Sequence, residues 1–497
     1  KNFCASVSVM TFESNVGVAT IQLVKTIKRN RIAAGNYDIP LIDDVDKDGK
    51  PEFIIYDGFE VYILRENFAP FTVNPTGFFS TSQFPPVVVE NFSGNNTKML
   101  ATANGSGFKL NFIDTSASGN GGVIVGVDTT VTTPTHTINN KVYVGTASGK
   151  LVKYSTPNVQ TTFYPFNTPV KLIALLPDEN WIAANNDSLK NSFGKSVWLN
   201  GKHPREIINA RIEPNGSIST ITLFEDNVIS LYDAQTLSLQ KTFSIANSGN
   251  ASIAVADIDR DGKLDILVGT GNSLSVYNQN GALIENFPFK TLDGGNVTGS
   301  PVVVGLKNST SIAIVFGSTN GHLYALNEKG KMLLGFPLQT GGIVSSPAIS
   351  NDYLIAASLD TSVYFWKVTG LFDTSKIYWN GYLSDKSHSN FVENKGTLAS
   401  KSSELLPKSF AYNWPNPVYE NITHIRYYLG KPASVKIKIF TLAGELVEEL
   451  TGTSYANLDN EVDWNVSKVQ SGVYFAEIKA TSGSEVQSSI IKIAVVK

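Results

Sequence analysis

Cysteine is almost absent. Cys4 stands alone in 497 residues, so no internal disulfide can form, and an unmodified or buried thiol is the expectation. The five histidines, His136, His203, His322, His388 and His424, show no His-x-x-x-His or His-Glu spacing; this favours packing or surface roles over zinc ligation. Charge is scarce as well. Asp, Glu, Lys and Arg make up 17% of the chain, and the formal net charge of −3 gives no electrostatic case for nucleic acid or anionic membrane. No apolar run approaches the roughly 20 residues of a helical membrane span. A Gly-x-Ser-x-Gly elbow, a phosphate-binding loop and a dinucleotide fingerprint are all missing, so hydrolase, ATPase and Rossmann readings lack their motif. The first residue, Lys1, reads as the start of a processed mature protein or of a fragment.

What the chain has is short apolar runs between Gly, Ser, Thr and Asn turns, with aromatics at 10%. That pattern predicts an all-β secreted protein, and 497 residues exceed one ordinary core. An internal repeat organises most of the length. Leu274–Gly281 matches Leu323–Gly330, and both are followed by a Phe-Pro pair (Phe287-Pro288, Phe336-Pro337) and a Ser-Pro strand start (Ser300-Pro301, Ser346-Pro347). Weaker copies of the same strand fall at Val61–Leu64, Leu110–Ile113, Leu151–Tyr154, Val197–Leu199, Ile229–Tyr232 and Val363–Trp366. A period of roughly 45 residues with three or four strands per unit predicts a β-propeller of seven or eight blades. The interval from Val197 to Ile229 is short, which keeps both counts open.

The boundaries follow. Residues 1–35 hold two alternating stretches that pack on or close the propeller, then a basic turn at Lys28–Arg31 read as solvated. Residues 36–392 form the propeller and 393–410 a polar linker, and 411–497 alternate as strands of a compact Ig-like β-sandwich. Tyr364, Phe365, Trp366, Tyr378 and Trp379 can stack on sugars but read more simply as core strand residues.

Two acidic loops carry the chemistry. One is Asp44, Asp46, Asp48, Gly49, Lys50 and Glu52, running into Phe53-Ile54-Ile55; the other is Asp257, Asp259, Asp261, Gly262, Lys263 and Asp265, running into Ile266-Leu267-Val268. Carboxylates at every second position, a Gly at the bend and a late acid suit a hard cation with oxygen ligands. Without a cation the same charges repel one another. Other blades lack the pattern: Val89–Met99 offers Glu90 and amides, and Val303–Ile312 has no carboxylate.

These loops resemble the FG-GAP and VCBS repeats of bacterial surface proteins and integrin α-type propellers. The resemblance implies two structural Ca²⁺ sites, with ligands Asp44, Asp46, Asp48, the Lys50 carbonyl and Glu52 in one. Asp257, Asp259, Asp261, the Lys263 carbonyl and Asp265 would serve the other. Asn413-Trp414-Pro415-Asn416-Pro417, Ile425–Leu429, Val435–Gly444, Ser471–Phe475 and the terminal Lys492–Lys497 resemble the sorting domain of type IX secretion substrates. This implies export to the bacterial surface or medium, contact of 411–497 with the secretion machinery, and either an uncleaved precursor or a domain retained for structure. The segment Trp379–Ser389, with Asp385 and His388, resembles the closing piece that often follows such propellers. With no catalytic constellation in view, the expected role is binding or assembly, the partner being a surface protein, a glycan or another copy. The competing class is a polysaccharide lyase or hydrolase, or the non-catalytic propeller of a larger secreted enzyme.

Overall fold

Runs such as Ile312–Ser318 and Tyr353–Ser358 are buried at every position, as strands are when sheets cover both their faces. Runs such as Leu239–Ser244 are largely exposed, as outer edge strands are. The computed structural model describes residues 9–14, 17–29, 39–56, 60–71, 78–81, 84–90, 92, 98–103, 109–114, 122–127, 129–156, 158–249, 251–350, 352–381, 383–394, 404–454, 456 and 458–497. Cys4, Asn30 and Arg31 lie outside them. The chain is all-β and divides into two units, one built from 1–13, 18–307 and 312–396, the other chiefly from 397–497.

In the first unit the described strands form eight antiparallel meanders in chain order. Sheets 1 to 7 span 41–81, 87–126, 136–163, 172–198, 204–244, 254–290 and 297–339. Sheet 8 joins 344–369 to Gly17–Lys28 and Val9–Ser14, so its outer strands come from the start of the chain. Apolar clusters join each sheet to the next: sheet 1 to 2, 2 to 3, 3 to 4, 4 to 5, 5 through 6 to 7, and 7 to 8. Phe53 and Ile55 of sheet 1 then pack with Ile355, Val363 and Phe365 of sheet 8, which closes the ring of a β-propeller. Glycines make the close approach possible. A Cβ on Gly145, Gly269 or Gly317 would lie 2.7–2.8 Å from Val170, Val297 or Val344 of the following repeat.

One strand assignment is corrected. Val197–Leu199 was read as a third-strand copy, but Ser196–Trp198 is the fourth strand of sheet 4, and the third is Ser188–Asn191. Leu189 stands 38 residues after Leu151 and 40 before Ile229, so the short interval disappears. The strand is hard to read because its second inward residue is Asn191, whose amide donates to the Ala234 and Gln235 carbonyls at 2.9 Å. In the basic turn Lys28 is exposed as expected, but Arg29 is not. Arg29 is buried and donates to the carbonyls of Tyr56 and Ser358, a strut between sheets 1 and 8.

In the second unit a three-stranded sheet (Tyr412–Trp414, Ile422–Leu429, Leu458–Asn465) and a four-stranded sheet (Leu446–Gly452, Ser434–Thr441, Gly472–Ser482, Glu485–Val495) share one core. Ile425, Tyr427, Ile437, Ile439, Trp464, Ile478 and Ile493 fill it. Leu405 and Leu406, assigned to the linker, are buried in this core as well.

Candidate metal centres

Each acidic loop joins the first two strands of its sheet, Leu41–Asp43 to Glu52–Tyr56 and Ala254–Ala256 to Asp265–Thr270. Their backbones turn at corresponding residues. Lys47 and Arg260 both adopt φ of 62°, and Gly49 and Gly262 follow at 88° and 89°, a bend that favours glycine. The carboxylates are anchored by loop amides. In loop 1 Asp44 accepts from the N–H groups of Asp48 and Gly49 at 3.0 Å, and Glu52 accepts from Val45 at 3.0 Å. In loop 2 Asp257 accepts from Gly262 at 3.2 Å, Asp259 from Asp261 at 3.0 Å, and Asp265 from Ile258 at 2.9 Å.

The loops differ in which carboxylates converge. Asp44, Asp46 and Asp48 bring ligand oxygens within 4.8 Å of one another, and so do Asp257, Asp259 and Asp265. Asp261 is exposed and caps Lys263 N–H at 2.7 Å, outside the converging trio. Lys50 and Lys263 each donate a backbone N–H to the preceding aspartate, at 2.8 and 2.7 Å. Loop 1 also carries a cation of its own. Arg65 Nη1 lies 3.1 Å from Asp46, 3.7 Å from Asp48 and 3.9 Å from Glu52. The residue at the matching place after the third strand of sheet 6 is Asn278, whose side-chain oxygen accepts from Asn280 and Ala282 N–H.

Electrostatics sharpen the contrast. Burial, reinforced by Asp259 and Asp257, pushes the Asp265 carboxyl up to about 8, and burial with Asp259 and Asp261 pushes Asp257 up to about 7. Glu52 is raised to about 7 by burial and then by Asp46 and Asp48, with Val45 N–H and Arg65 opposing. Oδ1 of Asp257 is buried without a hydrogen-bond partner. Hard oxygens, crowded charge and an orphaned ligand atom fit a Ca²⁺ ion in loop 2. Bound there, the ion would supply charge compensation and a rigid turn.

The segment after sheet 8 was the least legible functional feature. Phe372–Trp379 pairs antiparallel with Val297–Leu306, the first strand of sheet 7. The chain then passes the first strands of other sheets in turn. Carbonyls of Lys386, Ser387, Ser389 and Asn390 accept from Val88, Thr137, Leu175 and Asn209 of sheets 2, 3, 4 and 5. In a propeller those edges line the central channel. Trp379 is buried and donates Nε1–H to Ser300 at 2.9 Å; Asp385 caps Ser387 and Ser389. His388 is fully buried, and its carbonyl accepts from His136 Nδ1 at 2.6 Å. Burial lowers His136 to about 4, and burial with the adjacent His136 lowers His388 to about 3, so both stay neutral near pH 7. Lys98 and Lys386 both face Asp43 (2.9 and 2.7 Å) and Glu90 (3.7 Å each), a brace of paired charges. Asn394 reaches the Ile212 and Gly262 carbonyls, tying the segment to loop 2.

The aromatics considered for sugar stacking divide. Phe365, Trp366 and Trp379 are buried in the core. Two exposed aromatics of the first unit were overlooked: Tyr164 and Trp198, beside and on the fourth strands of sheets 3 and 4, are 74% and 61% exposed. A bulky aromatic on an outer strand was the available signal.

Comparison with known proteins agrees with this layout. Residues 413–492 match the secretion system C-terminal sorting domain. The chain is therefore exported through the type IX system, to the cell surface or the extracellular space. Residues 249–284, which enclose loop 2, match the FG-GAP repeat. No curated protein matches the chain. Among solved structures, a computationally designed protein, Ika8, is 13% identical with a TM-score of 0.45, over 68% of this chain and 99% of its own. BBS1N, solved in complex with ARL6DN and soaked with lead, is 13% identical with a TM-score of 0.42, over 69% and 96%. At those scores neither likeness carries an argument. No described helix is long and apolar enough to cross a membrane.

Proposed function

We propose that this exported protein is a calcium-braced surface propeller that works by binding or assembly. The observation that carries the reading is the path of residues 372–394 along the first strands of the sheets. Edges that would otherwise line an open channel are engaged by the protein's own chain, and the charges there pair with one another. Contact then falls to the outer surface, where Tyr164 and Trp198 expose large aromatic area on neighbouring sheets. Ca²⁺ sits in both acidic loops, held more tightly in loop 2, where the position of Arg65 is taken by Asn278. The partner is a surface protein, a glycan or a second copy, and residues 411–497 engage the secretion machinery.

Native mass measurement of the secreted chain in calcium tests this. A higher-order particle or a co-purifying surface partner, weakened by a Tyr164→Ala and Trp198→Ala double variant, is the expected result. A lone monomer that cleaves polysaccharide would overturn it.

A further inference from the structure

The second unit carries a cluster that no acidic loop explains. On the outward face of its three-stranded sheet, Trp414 pairs with His424, His424 with Asp463, and Arg426 with Glu461, all as directly opposed cross-strand residues. Strand alternation places His424 and Arg426 on one face, and Asp463 and Glu461 beside them. His424 Nδ1 lies 2.7 Å from Asp463 Oδ1 and 3.7 Å from Glu461 Oε1, and one ligand atom from each residue falls within 4.8 Å of the others.

We propose that His424, Glu461 and Asp463 form a surface site for a divalent first-row transition ion of the zinc class. Zinc bonds to imidazole nitrogen and carboxylate oxygen at about 2.0–2.2 Å, so neighbouring ligand atoms in a tetrahedral shell sit about 3.4 Å apart. The 2.7 and 3.7 Å separations bracket that edge, the third pair lies within 4.8 Å, and an ion would take the place of the His424–Asp463 hydrogen bond. One nitrogen and two oxygens suit zinc far better than calcium, which takes six to eight oxygens.

Two neighbours preorganise the donors. The Trp414 indole stacks on the imidazole with centroids 6.0 Å apart and planes 19° from parallel, which fixes the ring plane. Arg426 holds Glu461 through its other oxygen, leaving Oε1 toward His424. Such outer partners orient ligands. The guanidinium charge also keeps the affinity below that of closed four-ligand sites. His424 is about one-third exposed and Asp463 more than half, so an ion has a path in and solvent supplies the fourth ligand.

The test uses the full chain, stripped of metal and then held in excess Ca²⁺ to saturate the acidic loops. Calorimetric titration with Zn²⁺ is expected to show one equivalent bound, weakened at least tenfold in His424→Ala and in Asp463→Asn. Co²⁺ should give the intense visible absorption of a tetrahedral site, lost in the same variants. Both substitutions lie on an exposed face, so a melting temperature unchanged in the absence of zinc confirms that the fold is intact. His322→Ala, which breaks the other short His–carboxylate contact, to Asp293 at 2.6 Å, should leave binding as it was. No zinc heat, or binding that survives His424→Ala, reduces the cluster to a surface ion-pair network and overturns the proposal.

Discussion

Loops 1 and 2 share a backbone and differ in who neutralises it. Both bend through a residue at φ 62° and a glycine near 88°, and both anchor their carboxylates on their own amides. Loop 1 receives the Arg65 guanidinium against Asp46, whereas loop 2 has Asn278 at the matching place and leaves Asp257 Oδ1 without a partner. Loop 1 therefore has a guanidinium from outside the loop against its carboxylates, whereas the matching place beside loop 2 holds a neutral amide. A motif marks where a cation can sit; residues far outside it set how much the protein needs one.

The broadest prediction separates both loops from the channel-lining segment. His136 and His388 are lowered to about 4 and about 3 in the folded protein but protonate near 6.5 when unfolded. The unfolded chain then binds more protons between those limits. The pair's own contribution to stability should be full above pH 6.5 and fall as pH drops toward 4, by about 1.4 kcal/mol per pH unit for each histidine, while Glu206, raised to about 7 by burial, works in the opposite direction. Denaturant titrations in excess calcium from pH 7 to 4.5 should show His388→Gln losing less stability on acidification than the unsubstituted chain, by about one histidine's share. An unchanged slope would detach acid sensitivity from the pair.

Next comes loop 2 itself. Asp257→Asn should abolish its calcium-dependent stabilisation, about 2.7 kcal/mol when calcium stands at a hundred times Kd, read as the lost difference in melting temperature between calcium and chelator. Retention of the full difference would show that loop 2 holds no ion. Arg65→Gln should act oppositely on loop 1: stability in chelator drops while calcium affinity rises about tenfold, since a unit charge that near an ion is worth on the order of 1–4 kcal/mol. An unaltered affinity would break the contrast between the loops. The smallest effect is the reciprocal one. Asn278→Arg should weaken loop 2 calcium binding by roughly threefold to tenfold in the same titration, because a half-exposed guanidinium is partly screened.

Much of this was legible in the residues, and the gaps have physical causes. Third strands such as Leu274–Tyr277 and Leu323–Leu326 announce themselves because Leu274, Val276, Leu323 and Ala325 hold their alternate positions. Ser188–Asn191 does not, since Asn191 fills an inward place and is satisfied by carbonyls of the next sheet. The strand Leu458–Asn465 is hard to read for a similar reason: its acidic outer residues pair with His424 and Arg426, which disguises the alternation. The convergence of loop carboxylates was readable as far as spacing goes. Asp261 turning outward was not, because alternation alone cannot say which carboxylates face one another. Arg65 lies thirteen residues beyond Glu52, on the far side of a hairpin, and no local pattern marks it. Residues Trp379–Ser389 were recognisable as a closing piece, but the route of the chain along the sheets, which continues to Asn390, is a property of the closed ring and has no signature in the segment itself.

Calcium, as proposed, braces the first unit through its acidic loops. The most direct test is the melting temperature of the full chain in excess chelator and again in excess calcium. A clear rise in calcium, removed in large part by Asp257→Asn and in lesser part by Asp46→Asn, is the predicted result. Identical melting in both conditions would contradict it.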